Sequence, residues 1–266
     1  MIGGVTADFI SSEFKQAKIK TYNLYHLTSA KSKISSHSLT LAATADALLN
    51  DRSFDECYMQ WGQQNTVIDF DDATEFWLLQ GDLNYMQESF ESGAAVRACV
   101  IGNLDIPISE IHSLATESAR CTHNSEEAIV SAKVVCSVIN AVRRRASKEE
   151  ITEYLTEFNY YVSDDCVELE QNLNENCNAK NVVLAAIYIA LNSKDWEESI
   201  RLSIYYFGFN STSEIMIIAS MIKSQTSAVS DYYKLQTQHY LFQHHQSVLQ
   251  IMSEFEHKKW TLELLF

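Results

Sequence analysis

Residues 35–49, Ser-Ser-His-Ser-Leu-Thr-Leu-Ala-Ala-Thr-Ala-Asp-Ala-Leu-Leu, decide the fold expected for this chain. From Leu39 onward the residues are mostly small and apolar, which suits a helix packed closely against its neighbours on most sides. Three further segments repeat this small-residue framework: Gly-Gly-Val-Thr-Ala-Asp at 3–8, Ser-Gly-Ala-Ala-Val-Arg at 92–97 and Gly-Phe-Asn-Ser-Thr-Ser at 208–213. The four segments together predict close helix packing in one interior.

The composition favours helices over sheets. The chain has 266 residues, of which 46% are hydrophobic, but it contains only 7 glycines and a single proline, Pro107. Sheet-rich proteins need many turns, and turns use glycine and proline. With no clear linker and no strand-period segment, residues 1–266 predict a compact, all-α, multi-helix single domain.

Helical periodicity and capping residues predict where the later helices lie. Ser125 and the Ser147 to Glu150 capping box open two of them, and Asp195 opens another. The segment 164–181 is polar, and its middle is interpreted as a loop or an exposed helix. The predicted helices in this half of the chain are 126–145, which three arginines close, 147–158, 180–192, 195–207, 213–222 and one long helix over 229–255, within a C-terminal helix-and-tail segment 228–266.

Charge and cysteine usage limit the partners. The formal net charge is −15, which disfavours nucleic acid and anionic membranes and suits a protein partner with a basic surface. The six cysteines form no CxxC pair, and this is typical of reduced thiols in the cytoplasm. No charged-then-apolar leader is recognised, and the longest apolar run, 182–191, is too short to span a bilayer.

General catalytic motifs are absent. The sequence contains no Walker loop, GxGxxG, HExxH or GxSxG. His239 and His244 are five residues apart and do not share a helix face, so they and His245 are interpreted as surface histidines.

The four segments, in their order and spacing, resemble the ADP-ribosylglycohydrolase family, which includes dinitrogenase-reductase-activating glycohydrolase and crystallin J1-like proteins. Further matches are Glu13-Phe14 after the first segment and Thr122-His123 between the last two. In the family, Asp and Thr side chains of the second and last segments hold two magnesium ions. The resemblance implies an all-α fold and hydrolysis of N- or O-glycosidic ADP-ribose bonds.

This chain departs from the family at the metal-binding segments. Ser36, His37, Asn210 and Thr212 stand where the resemblance implies carboxylates, and Ser35 and Ser213 stand where it implies threonines. Asp8 and Glu13 are the residual acidic candidates. One carboxylate, Asp8, does not balance two divalent ions, so the dinuclear magnesium site is predicted to be lost and no cofactor is expected. The helices after Ser35 and Gly208 are predicted to converge on one cleft that is neutral or lined by hydroxyls.

The resemblance also implies ligand-binding candidates, Gly93, Arg97 and His123. Each has a structural alternative: Arg97 pairs with an acid at a helix end, and His123 is a buried, satisfied histidine. Glu88 and Glu91 flank Gly93 and would repel a diphosphate. ADP-ribose binding is therefore predicted to be weak or absent.

The leading interpretation is a catalytically inactive protein of this fold that binds a protein partner, either an ADP-ribosyltransferase or an ADP-ribosylated protein, in an immunity-like or regulatory role. One alternative is a divergent, active hydrolase that removes ADP-ribose from protein side chains with Asp8, Glu13 and His37. Another is a structural, crystallin-like protein. The sequence leaves the partner, the organism and the oligomeric state open.

Overall fold

The computed structural model describes residues 1–14, 20–83, 89–208 and 211–258. These residues form fourteen α-helices and no β-strand. The helices are α1 Ile2–Ser11, α2 Ser36–Asn50, α3 Phe54–Gln64, α4 Asp72–Gln80, α5 Gly93–Ile101, α6 Ile108–Arg120, α7 Glu126–Arg143, α8 Lys148–Leu155, α9 Cys166–Glu175, α10 Ala179–Asn192, α11 Trp196–Phe207, α12 Thr212–Lys223, α13 Asp231–His244 and α14 Gln246–His257. The all-α prediction is confirmed.

Capping residues begin the later helices where the sequence predicts. Ser125 and Asp195 accept from the backbone amides of Ala128 and Glu198, at the starts of α7 and α11. Ser147 and Glu150 complete the predicted capping box at α8. The polar segment 164–181 contains the short helix α9, which Asp165 caps.

The predicted single helix over 229–255 is wrong, because the chain forms two helices that meet at His245. The backbone of His245 leaves the helical region, with φ −143° and ψ 58°. Its N–H ends α13 by donating to the Leu241 carbonyl, and its own carbonyl accepts from Val248 and Leu249 at the start of α14. The break lets α13 pack on α1 while α14 packs on α2. Residues 259–266, the predicted tail, lie outside the described residues.

The core is organised around the central helices α5 and α12. α5 packs on α7, and its residues from Ala94 to Ile101 are all buried. α12 packs on α1, α10 and α11, while α2 packs on α3, α5 and α14. Among the described residues, no helix is both long and apolar enough to cross a membrane.

Gly102 allows a close approach between the end of α5 and α7. A β-carbon at this position would lie 3.0 Å from the Cys136 Cα and 3.1 Å from the Cys136 carbonyl oxygen. Backbone atoms cannot turn aside, so a larger residue must push the helices apart.

We expect Gly102→Ala to lower the free energy of unfolding by about 1–3 kcal/mol because of this overpacking. Chemical denaturation measures the change. Gly81→Ala is the comparison, since a β-carbon at Gly81 would come no closer than 4.0 Å to a neighbouring atom, Gln63 Nε2, but the residue has a φ of 65°, which costs about 1 kcal/mol in backbone strain alone. An effect at Gly102 no larger than that at Gly81 would contradict the close-packing explanation.

Candidate functional site

The N-termini of α2, α4, α5 and α12 face a cavity of about 290 Å³, here called the cleft. Its lining includes Ser36, His37, Gly93, Arg97 and His123, the candidates that the structure brings together. Ser211, which immediately precedes α12, also lines it. The predicted convergence of the second and last segments is therefore confirmed for the described residues. Asn210 and Glu88 lie outside them.

Asp8, Ser35 and Ser213 line a second cavity, of about 530 Å³, instead of the cleft. The carboxylate of Asp8 is buried and accepts four hydrogen bonds from the N-terminus of α2. Its Oδ2 accepts from the Ser35 and Ser38 amides at 2.8 and 3.3 Å and from the Ser38 hydroxyl at 2.5 Å, while Oδ1 accepts from the Ser35 hydroxyl at 2.6 Å. A carboxylate at the positive end of a helix dipole is favourable. Asp8 thus anchors α1 to α2.

Other candidates are held by local contacts. Glu13 accepts from the hydroxyls of Ser29 and Ser32 at 2.7 and 2.6 Å. The Thr212 hydroxyl is buried and donates to the Phe207 carbonyl at 2.6 Å, which ties the start of α12 to the end of α11.

Arg97 is buried and holds the end of α6. Its guanidinium donates to the Ser118 carbonyl at 2.9 Å and to the Thr122 hydroxyl at 2.7 Å, and it lies 4.7 Å from the ring centroid of Tyr58. Cations are stabilised at helix C-termini and over aromatic faces. The structural alternative for Arg97 is therefore the better one, although its partners are carbonyl and hydroxyl oxygens and no acid.

His123 continues this network into the cleft. Its Nδ1 lies 2.7 Å from the Thr122 hydroxyl oxygen. Because Arg97 donates to that oxygen, the Thr122 hydroxyl proton can point to Nδ1, which leaves the imidazole proton on Nε2. A β-carbon at Gly93 would lie 2.9 Å from this Nε2, so only glycine leaves room for the ring. Burial, Arg97 and His37 hold the pKa of His123 well below its usual range.

The neutral state of His123 predicts a pH dependence of stability. Below about pH 6.5 the unfolded chain binds a proton that folded His123 does not bind, so acid favours unfolding. We expect His123→Gln to reduce the fall in unfolding free energy between pH 6.5 and 5 by up to about 1.4 kcal/mol per pH unit. Denaturation at several pH values measures it, with the exposed His239→Gln as control. Parallel pH profiles for His123→Gln and the unmodified protein would contradict the buried neutral state.

Hydroxyls do line the cleft, at Ser36, Thr122 and Ser211 among others, but the prediction of a neutral cleft is wrong. Among the described residues, three carboxylates line it: Asp71, which caps α4; Glu91, just before α5; and Glu214, in the first turn of α12. Glu214 Oε1 lies 3.3 Å from His37 Nε2. Burial and then Asp71 and Glu214 raise the pKa of Glu91, while His37 opposes this rise. Sequence reasoning missed Glu214 although it directly follows Ser213.

Aromatic side chains form part of the cleft wall. Phe70 is half-buried and Trp77 is buried, with the Trp77 indole N–H donating to the Asp82 carbonyl at 3.0 Å. Tyr58 lies deeper, where burial raises its pKa to about 12. The cleft therefore combines acidic groups near helix N-termini with apolar surface.

The all-α fold, and the cleft at which it brings parts of the matched sequence segments together, are of the glycohydrolase type that the sequence resembles. Comparison with known sequences agrees with this class. The sequence profile of the ADP-ribosylglycohydrolase family matches residues 2–212. The chain belongs to this family. No curated protein sequence matches it. A solved structure described as "ADP-ribosylglycohydrolase-related protein complex" is similar in fold, with a TM-score of 0.68 and 14% identity over 96% of this chain and 94% of the other.

Proposed function

We propose that this chain is a member of the family without glycohydrolase activity, and that it acts by binding a protein partner with a basic surface. The observation that carries the proposal is the use of Asp8. Its carboxylate is the acidic group retained near the start of α2, and four hydrogen bonds from Ser35 and Ser38 occupy it. Magnesium needs several oxygen ligands, mostly anionic, that are free to coordinate it.

The other residues of the metal segments also suit magnesium poorly. Ser36 and His37 stand in place of carboxylates, and His37 contacts Glu214. The Thr212 hydroxyl donates its proton to a backbone carbonyl. We therefore infer that two magnesium ions do not fit this donor set, and no catalytic step is assigned to them.

Binding of a basic protein is supported by charge. The net charge of −15 steers positively charged partners toward the surface and would speed their association at low salt. Asp71, Glu91 and Glu214 also disfavour the diphosphate of ADP-ribose in the cleft. An ADP-ribosyltransferase or an ADP-ribosylated protein remains the proposed partner, by family relationship, in the cytoplasm.

A turnover assay tests the loss of activity. ADP-ribosyl-arginine and ADP-ribosyl-serine peptides are incubated with the protein and magnesium, beside an active family enzyme, and released ADP-ribose is measured. We expect release at the rate of the buffer blank. Turnover above the blank would overturn the proposal, and its disappearance in His37→Ala with an unchanged melting curve would favour the divergent hydrolase.

Magnesium is expected not to stabilise the fold. A ligand that binds only the folded state raises the melting temperature by mass action. We therefore expect millimolar magnesium chloride to shift the melting temperature by less than about 1 °C relative to sodium chloride at equal ionic strength. A magnesium-specific rise of several degrees would contradict the inferred loss of the metal site.

A further inference from the structure

The cleft combines features that suit an organic cation. Its volume of about 290 Å³ lies at the lower end of ligand pockets, which run from about 300 to 1,000 Å³. It suits one long side chain better than a dinucleotide-sized ligand. We propose that the cleft binds a lysine or arginine side chain of the protein partner, with the cationic head group between Glu91 and Glu214.

The carboxylates come from separate parts of the chain and face the same space. Asp71 caps α4, Glu91 precedes α5 and Glu214 lies in α12. Their mutual influence appears in the raised pKa of Glu91, to which Asp71 and Glu214 contribute after burial. Asp71 and Glu214 also lie at helix N-termini, where a carboxylate side chain is favourable. A cation placed among them would relieve their repulsion.

Three basic side chains line the cleft within the part of the chain that the structure describes: Arg97, His123 and His37. Arg97 directs its guanidinium to the end of α6 and to Thr122. His123 is held neutral, so it brings no charge that would repel a cation. His37 contacts Glu214 and opposes only part of the acidic field at Glu91. Among the described lining residues, three carboxylates therefore face one partly exposed imidazole, which makes this lining acidic.

The wall residues suit the rest of a basic side chain. Phe70 is half-buried and presents aromatic surface, on which an aliphatic stem packs and a guanidinium stacks, while Trp77 lines the same wall but is only 1% exposed. The Nε2 hydrogen of His123 has no hydrogen-bond partner among the described residues and can donate to a carbonyl oxygen of the bound peptide.

A metal ion is a poorer occupant of the same space. Within residues 1–14, 20–83, 89–208 and 211–258, no three His, Cys, Asp or Glu side chains come together closely enough to hold one. Carboxylates spread around a cavity instead suit a head group with several N–H donors, such as an ammonium or a guanidinium.

The inference rests on the proposed function, since it names the group that the partner would insert. Its test is separate from the turnover assay. Acetyl-arginine-amide and acetyl-lysine-amide are titrated into the full chain, and the Trp77 indole N–H is followed by ¹H–¹⁵N NMR. Acetyl-citrulline-amide, which has nearly the shape of arginine without its charge, and ADP-ribose are the matched probes.

We expect saturable shifts of the Trp77 signal with arginine and lysine, at dissociation constants on the order of millimolar, and much smaller shifts with citrulline and ADP-ribose. Glu214→Gln and Glu91→Gln should each weaken arginine binding about tenfold, which corresponds to about 1.4 kcal/mol. Glu153→Gln, at an exposed position on α8, is the control and should leave it unchanged.

Two results would overturn the inference: citrulline binding as well as arginine, or arginine binding that survives Glu91→Gln and Glu214→Gln. Melting curves of these variants show whether they fold. Failure here, with no glycohydrolase turnover, would leave partner binding to another surface of the protein. Glycohydrolase turnover would overturn the proposed function whatever the cleft binds.

Discussion

Replacing Arg97 with alanine is expected to lower the free energy of unfolding by about 3–5 kcal/mol. The guanidinium is buried, donates to the Ser118 carbonyl and the Thr122 hydroxyl, and packs on Tyr58. Alanine would leave buried acceptors without donors and open a cavity beneath α6. Urea denaturation followed by circular dichroism measures the loss.

Two variants locate the origin of this effect. Arg97→Lys keeps the charge but loses the planar guanidinium that reaches several acceptors. We therefore expect it to lower the free energy of unfolding, but by less than Arg97→Ala does. Arg120→Ala removes an exposed arginine from the end of the same helix and should change stability little. If Arg97→Ala were as stable as Arg120→Ala, Arg97 would have no structural role, and the family's implied ligand role would become the better explanation.

Much of the helical fold could be predicted because its signals are local. Ser125, Ser147 and Asp195 cap helices within three residues of the cap, so short sequence patterns contain them. The break at His245 left no such sign. Apolar positions continue on both sides of it, at Leu241 and Val248, and only packing against two different helices separates α13 from α14.

The chemistry of the site was less accessible to sequence reasoning. The family resemblance located the segments and the missing carboxylates, and it correctly placed Ser36, His37 and Gly93 around one cleft. It could not show that Asp71, outside every matched segment, approaches Glu91 and Glu214 in space. It also could not show that Asp8 turns from the cleft to the serines of α2. Both depend on tertiary packing.

Asp8→Ala is expected to lower the free energy of unfolding by about 3–4 kcal/mol, because two backbone amides and two hydroxyls lose their acceptor. The side chain is buried, so water cannot easily replace it. Asp8→Asn keeps one carbonyl oxygen of the same shape. That oxygen can accept from both amides while the Ser35 hydroxyl reorients, so this variant should lose only about 1–2 kcal/mol.

The comparison with Glu13→Ala separates a structural carboxylate from a residual catalytic one. Glu13 is partly exposed and accepts only from the hydroxyls of Ser29 and Ser32, which water can satisfy, so its loss should cost about 1 kcal/mol or less. The expected order of stability is therefore Glu13→Ala, then Asp8→Asn, then Asp8→Ala. An Asp8→Ala variant as stable as the unmodified protein would show that α2 does not need this carboxylate. Asp8 would then be free to bind a ligand, and the divergent hydrolase would become the stronger interpretation.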